Sequence, residues 1–346
     1  MKKVSIYAVT LIILAFTALA LSTTVRALDP AVSVYIMDPT NPANGGKGLS
    51  SGGYWVGEIP ITITNGSSLP YQTVGYCLDF DRVIYIGGTY PATIASISDN
   101  AEWRAVSYLL TWNNPTTNSE AAADQVAIWK ILNQTRGTDY YRESWLDLSI
   151  DNAGDAVATQ AWGKDVVRQG DQLSWVTPII SNMTAIQADA GQSINFTAQL
   201  TTATGTPRAN VRVIFNATLT TGAESQLLNS TYVTPREAFT DSQGMVQVTV
   251  TVPSDTVLGS TIAVEASTQS IWPERYVDVS DPATQDLIGL GDDFQLTLST
   301  NLHILGFIQV LPESPIGTLA AFGAVGTGFA VWVKLKHPKK PNTSNR

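Results

Sequence analysis

The hydrophobic period of this 346-residue chain changes twice, and that pattern restricts the fold more than any other feature. Over residues 31–90, apolar side chains alternate in short runs at 32–37, 54–64, 73–80 and 82–86. Gly45-Gly46, Gly52-Gly53, Asn65-Gly66 and Gly87-Gly88 separate them. A period of two with Gly-rich breaks predicts strands and hairpins, because alternate side chains leave a strand on opposite faces. The period then lengthens. Trp103, Val106, Leu109 and Leu110 share one face of a helix predicted over 99–112, capped by Ser98 or Asp99 and stopped at Asn113-Asn114-Pro115. A second helix is expected over 119–134 with Ser119 as cap, and a third over 151–168. From 175 to about 280 the strand period returns, most clearly at 193–200, 210–219, 244–252 and 260–267. Strands at this spacing suggest a β-sandwich of the immunoglobulin-like kind.

The ends carry different instructions. Lys2-Lys3, an apolar run over 4–21 and the small-residue boundary Val25-Arg26-Ala27 give residues 1–27 the order of a secretory signal. Within residues 314–334 the run 316–333 is uncharged and apolar, long enough with its flanks to cross a bilayer, and Lys334, Lys336, Lys339 and Lys340 follow that run. That basic tail, 335–346, places the C-terminus in the cytoplasm and the bulk of the chain outside, as a single-pass cell-membrane protein. Between Asp29 and Leu311 the chain has 28 acidic against 12 basic residues, a formal charge of −16. So acidic a segment excludes nucleic acid as a partner, since phosphate binding needs a basic stripe. Asn65, Asn133, Asn182, Asn195, Asn216 and Asn229 begin N-x-S/T sequons in this segment and are candidate glycosylation sites.

Against that exported background the chain has one cysteine, Cys77, in Tyr76-Cys77-Leu78-Asp79. Oxidising compartments favour paired cysteines, so a lone one calls for another role. The two histidines, His303 and His337, are distant in sequence. With one Cys and these His a zinc site has too few ligands, and no metal or cofactor is expected. A histidine-dependent triad would need His303 from a remote segment. Gln125 is the second singular residue. It sits on the predicted second helix with Ile128, Trp129 and Leu132 on its face, where an amide must find partners or suffer desolvation.

Tyr76-Cys77-Leu78-Asp79, followed 48 residues after the cysteine by Gln125-Val126-Ala127-Ile128-Trp129, resembles the thioester domain family of surface adhesins. Trp103-Arg104-Ala105-Val106-Ser107-Tyr108-Leu109-Leu110 resembles that family's first helix, and the likeness covers roughly 30–172. The family often has Thr before the Gln, where this chain has Asp124, whose negative charge is expected to slow bond formation or alter reactivity. Thr240-Asp241-Ser242-Gln243-Gly244-Met245-Val246 is similar to bacterial Ig-like repeats of surface stalks.

The resemblance implies an α+β thioester domain, a β-barrel or sandwich with inserted helices, over 28–172. An all-β Ig-like sandwich over 173–280, a spacer over 281–313 and the single transmembrane helix would follow. It implies an internal Cys77–Gln125 thioester, formed as the thiolate attacks the amide and ammonia leaves. Tyr76, Trp103 and Trp129 are candidates for an apolar shield against hydrolysis. The implied partner is a surface protein or other amine-bearing ligand of another cell or matrix, captured in one acyl transfer rather than by enzymatic turnover. Lysine, the self-reacting hazard, is scarce: only Lys47, Lys130 and Lys164 precede the anchor in the mature segment. Two other readings stay open. One is a non-reactive envelope glycoprotein of the same architecture; the other is an exported carbohydrate-active enzyme using carboxylates among Asp79, Asp81 and Asp124.

Overall fold

The computed structural model describes residues 32–66, 68–78, 84–133, 146–177, 186–281 and 286–305. The signal at 1–27, the anchor at 314–334, the tail at 335–346, Asp79, Asp81 and Asn182 lie outside these, as does the Asn133 side chain. Among the described residues no helix is long and apolar enough to cross a membrane.

The first strands are β1 (Val32–Ile36), β2 (Gly48–Ser51), β3 (Tyr54–Gly57), β4 (Ile59–Thr64), β5 (Tyr71–Cys77) and β6 (Thr89–Ala95). Val32, Val34 and Ile36, and Ile59, Ile61 and Ile63, point to one buried interior, as their period of two requires. Strands β2 and β3 form a separate hairpin. Three helices follow, α1 (Ala101–Trp112), α2 (Asn118–Asn133) and α3 (Leu148–Ala161).

The helix starts differ from those expected. Asn100, one residue later than predicted, caps α1 by accepting from the Trp103 N–H. Helix α2 starts on a reciprocal box rather than at Ser119. Thr117 Oγ1 accepts from the Glu120 N–H, while Glu120 Oε2 accepts from the Thr117 N–H. Helix α3 is capped by Asp147 and ends at Ala161, short of the expected 168. Beyond it Asp165, Val166 and Arg168 bond locally and to the sandwich instead.

The remaining strands are β7 (Gln172–Thr177), β8 (Ile186–Ala188), β9 (Ser193–Thr201), β10 (Arg212–Thr221), β11 (Glu224–Leu227), β12 (Val233–Thr234), β13 (Glu237–Phe239), β14 (Met245–Thr251), β15 (Thr261–Ile271), β16 (Glu274–Asp278), β17 (Leu287–Gly289) and β18 (Asp293–Ile304). One sheet runs β11-β10-β15-β18-β8 with β13 beside β10, and a second runs β12-β14-β9-β7. Phe196, Ala198, Val246 and Val248 of one meet Val213, Phe215, Ile262 and Val264 of the other in a shared core. This pair of sheets is a sandwich.

The boundaries drawn from sequence at 172 and 280 do not hold for the sheets. The first sheet is a closed barrel in the order β1-β4-β5-β17-β16-β6, so its last two strands come from residues 274–289. Strands β15, β16, β17 and β18 form one long antiparallel excursion. Its base, β15 with β18, pairs continuously from Thr261↔His303 to Ile271↔Asp293 inside the sandwich. Its far end, β16 with β17, leaves the sandwich and closes the barrel against β6 and β5. The stretch expected to be a spacer at 281–313 therefore contains two sheet strands. Two glycines face each other where it docks. A Cβ on Gly75 would meet the Ile288 carbonyl oxygen at 3.0 Å, and one on Gly289 would meet the Tyr276 ring at 2.6 Å.

Helix α1 fastens the excursion where it changes sheets. Ser107 Oγ donates to the Ile271 carbonyl at 2.6 Å, and the Ile271 N–H donates to Thr111 Oγ1 at 2.8 Å. Arg168 lies over the Trp272 ring, and Arg208 bonds Asp171 at 2.7 Å.

Candidate functional site

Cys77 ends β5, with Leu287 of β17 directly opposite, and the Leu78 N–H donates to the Asp286 carbonyl at 3.0 Å. Strand β5 is thus held on both sides, by β4 and by β17. Helix α2 packs across it, and brings Gln125 to the cysteine.

The Gln125 side-chain amide pairs with the Cys77 backbone twice. The Cys77 N–H donates to Gln125 Oε1 at 2.8 Å, and Gln125 Nε2 donates to the Cys77 carbonyl at 2.8 Å. Gln125 has no exposed surface and Cys77 only 7%. A doubly bonded amide cannot swing away without leaving two buried backbone groups unpaired, about 1–3 kcal/mol each. The geometry therefore sets the amide carbon beside the Cys77 Cα, two bonds from Sγ. It also places a backbone N–H on the amide oxygen, where a donor stabilises the charge that an attacking sulfur would develop.

The aromatic candidates divide between two faces, because successive strand residues point oppositely. Trp129 packs with Cys77 in the barrel interior, together with Val126, Ala122 and Ile61. Tyr76 points to the other side, into a cluster with Leu109, Ile128 and Ile288, and Trp103 packs at the edge of that cluster. Tyr76 and Trp103 thus lie away from the cysteine side chain. Of the described sequons, Asn65, Asn195 and Asn229 are exposed, whereas Asn216 is half-buried with its Oδ1 accepting from Arg236.

From sequence, Asp124 stands out as a charge opposing bond formation and as one of three candidate glycosidase carboxylates, while Glu58 is passed over entirely. The Asp124 carboxyl is 1% exposed; its Oδ1 accepts from Asn113 Nδ2 at 2.6 Å, and its Oδ2 has no hydrogen-bond partner among the described residues. Burial pushes this acid up to about 7, the Asn113 bond opposing and the Glu58 and Glu120 charges adding. Glu58, also buried, is raised by desolvation and accepts from the Tyr76 hydroxyl at 3.4 Å. Desolvation first, then the Glu58 and Asp124 charges, lift the Tyr76 phenol well above its ordinary value. The sequence signal for this cluster is a carboxylate flanked by Ala121–Ala123 and Val126 in an otherwise apolar helix segment.

The three lysines are all engaged. Lys130 Nζ lies 2.6 Å from both Asp151 Oδ1 and Asp155 Oδ1, Lys47 lies 3.8 Å from Glu58, and Lys164 sits 3.8 Å over the Phe239 ring. Among the described residues no cluster of His, Cys, Asp or Glu is arranged to hold a metal ion.

No family model matches this chain, and no curated protein does. Among solved structures it is similar to the Bacillus anthracis TIE protein, at 12% identity and a TM-score of 0.29 over 75% of this chain and 48% of that one. It is also similar to the thioester domain of the Enterococcus faecium TIE86 protein, at 13% identity and a TM-score of 0.29 over 78% of this chain and 94% of that one. The chain spans about half the length of the TIE protein it matches. Likeness of this size does not place it in a family.

Proposed function

We propose that this protein carries an internal thioester between Cys77 and Gln125 and uses it to attach itself covalently to an amine on a partner surface. The observation that carries the proposal is the reciprocal pairing of the Gln125 amide with the Cys77 backbone. Holding two reactants in one geometry removes much of the entropic barrier between them. In bond formation the Cys77 sulfur adds to the Gln125 amide carbon, the C–N bond breaks, and ammonia departs with the thiol proton. In use, an amine nitrogen takes the sulfur's place, leaving an amide on Gln125 and a thiol on Cys77. No turnover follows, because the acyl group is consumed. Gln125 is fully buried, so an incoming amine reaches the carbon only when the wall over it opens locally.

Amines are favoured over hydroxyls, since the only described histidine, His303, sits at the far end of β18, where it pairs with Thr261 at the base of the sandwich ladder. Among the described residues no acyl-imidazole relay is then at hand. The engaged lysines support the same chemistry by limiting self-reaction. In the proposed arrangement residues 1–27 are removed on export, the barrel lies outermost, the Ig-like sandwich acts as a stalk, and 314–334 anchor the chain in the cell membrane. The partner is a surface protein or other amine-bearing ligand of another cell or matrix. Methylamine is the direct probe. The purified protein is expected to gain a methylamide mapped by peptide mass spectrometry to Gln125, and Cys77→Ala none. A wild-type protein that takes up no methylamine sinks the proposal.

A further inference from the structure

Each reacting residue follows, in the chain, a member of the buried cluster described above: Tyr76 precedes Cys77 and Asp124 precedes Gln125. Tyr76, Asp124 and Glu58 are all at least nine-tenths buried. Asp124 faces Asn113 from the end of α1, Tyr76 from β5, Glu58 from the turn before β4, and Glu120 one turn earlier on its own helix. Lys47 stands beyond Glu58 at 3.8 Å, and farther along α2 Lys130 is bound by Asp151 and Asp155 of α3. Apart from Lys47, the described ionisable groups around Asp124 are acids, so among the described residues a second negative charge here meets no close cation.

We propose that Asp124 is a positioning residue whose protonation state gates acyl transfer at Gln125, permitting the reaction as a neutral acid and restraining it as a carboxylate. The inference rests on the thioester reading above. When an amine attacks, its lone pair forms the new C–N bond, the C–S pair leaves on the Cys77 sulfur, and the proton shed by nitrogen ends on that sulfur. Negative charge thus develops on sulfur in the rate-determining region. A buried carboxylate on the residue next to Gln125 disfavours it by like-charge repulsion through the low-dielectric interior, where a carboxylic acid does not. The same repulsion opposes the thiolate that forms the bond in the first place. The geometry gives Asp124 no hydrogen bond to either reacting side chain, so it acts through the field of the site and through α2.

The test uses the full chain with methylamine across pH 5.5 to 9, following adduct formation by intact mass and dividing each rate by the free-base concentration. The wild-type profile is expected to fall as pH rises through about 7. Asp124→Asn, of the same shape, should show no fall and react about tenfold faster at the alkaline end, for a repulsion that shifts the leaving thiol by ~1 unit. Asn113→Ala removes the bond that favours the carboxylate and should move the wild-type fall to higher pH. Superimposable profiles for wild type and Asp124→Asn, or a slower variant at every pH as a lost general base would give, overturn the inference while leaving the thioester intact. No adduct in any of the proteins overturns the thioester reading and the gate together.

Discussion

Asp124 ties the site to folding as well as to chemistry. Its carboxyl is held at about 7 in the folded protein, against an ordinary value of 3.8. The folded state therefore binds this proton more tightly than the unfolded chain does. The associated stability is fully present below the unfolded value and is lost as pH rises through about 7. At ~1.4 kcal/mol per unit, the whole interval corresponds to about 4 kcal/mol. Asp124→Asn should accordingly be more stable than wild type at pH 8.5 and differ little or fall below it at pH 5, read from urea midpoints at the two pH values. Equal midpoints at pH 8.5 would contradict the assignment. At this scale the sequence was legible in part. Cys77 and Gln125 stand out because a lone thiol and an amide on an apolar face are both rare. That the amide docks on the cysteine's backbone was hidden, since no residue pattern encodes which edge of a strand a helix will cross. The expectation that a charge at Asp124 opposes the chemistry changes too, because burial makes that charge conditional on pH.

Helix α2 owes its position to α3 as much as to β5. Gly154 of α3 packs on Val126, and a Cβ there would come within 2.6 Å of Val126 Cβ and closer still to Cγ1. Val126 is β-branched and stiff in a helix, so it cannot rotate aside cheaply. Gly154→Ala would gain up to about 1 kcal/mol of helix propensity but lose about 1–3 kcal/mol to overpacking, a net loss. Since Val126 adjoins Gln125, the same variant should show a lower thermal midpoint and a smaller fraction of bonded protein. A raised midpoint would show that α2 and α3 can separate without cost. The helices themselves were legible as period changes in sequence, and all three are found. Their ends were less so, because several capping residues compete locally. Asn100 was passed over for Ser98 and Asp99, and Thr117 for Ser119, although the Thr117/Glu120 box is written in the sequence. Helix α3 stops early because Asp165 and its neighbours bond across to the sandwich, which helical periodicity does not register.

For the molecule as a whole, the closure of the barrel by residues 274–289 means that no cut near 172 leaves a complete first sheet. Strands β5 and β6 would lose their partners and expose hydrogen-bonding edges. A fragment of residues 28–172 should fail to unfold cooperatively, whereas 28–305 should do so in denaturant. Cooperative unfolding of the shorter piece would contradict this topology. This part of the fold was not legible, because a strand's sequence records its alternation but not its distant partner. Leu287 and Ile288 read as an irregular spacer, and Tyr276 as the end of the sandwich, until β5 and β6 are seen beside them. The arrangement also ties the sandwich to the cysteine, as Leu287 of the excursion lies opposite Cys77. All of this bears on one covalent event, and the intact mass of the purified protein tests it most directly. The expected mass is lower than that of the amino-acid sequence by one ammonia, with Cys77 refractory to alkylation after unfolding and the full mass restored in Cys77→Ala. A wild-type mass equal to that of the sequence, with Cys77 alkylated in the unfolded chain, would contradict the central claim.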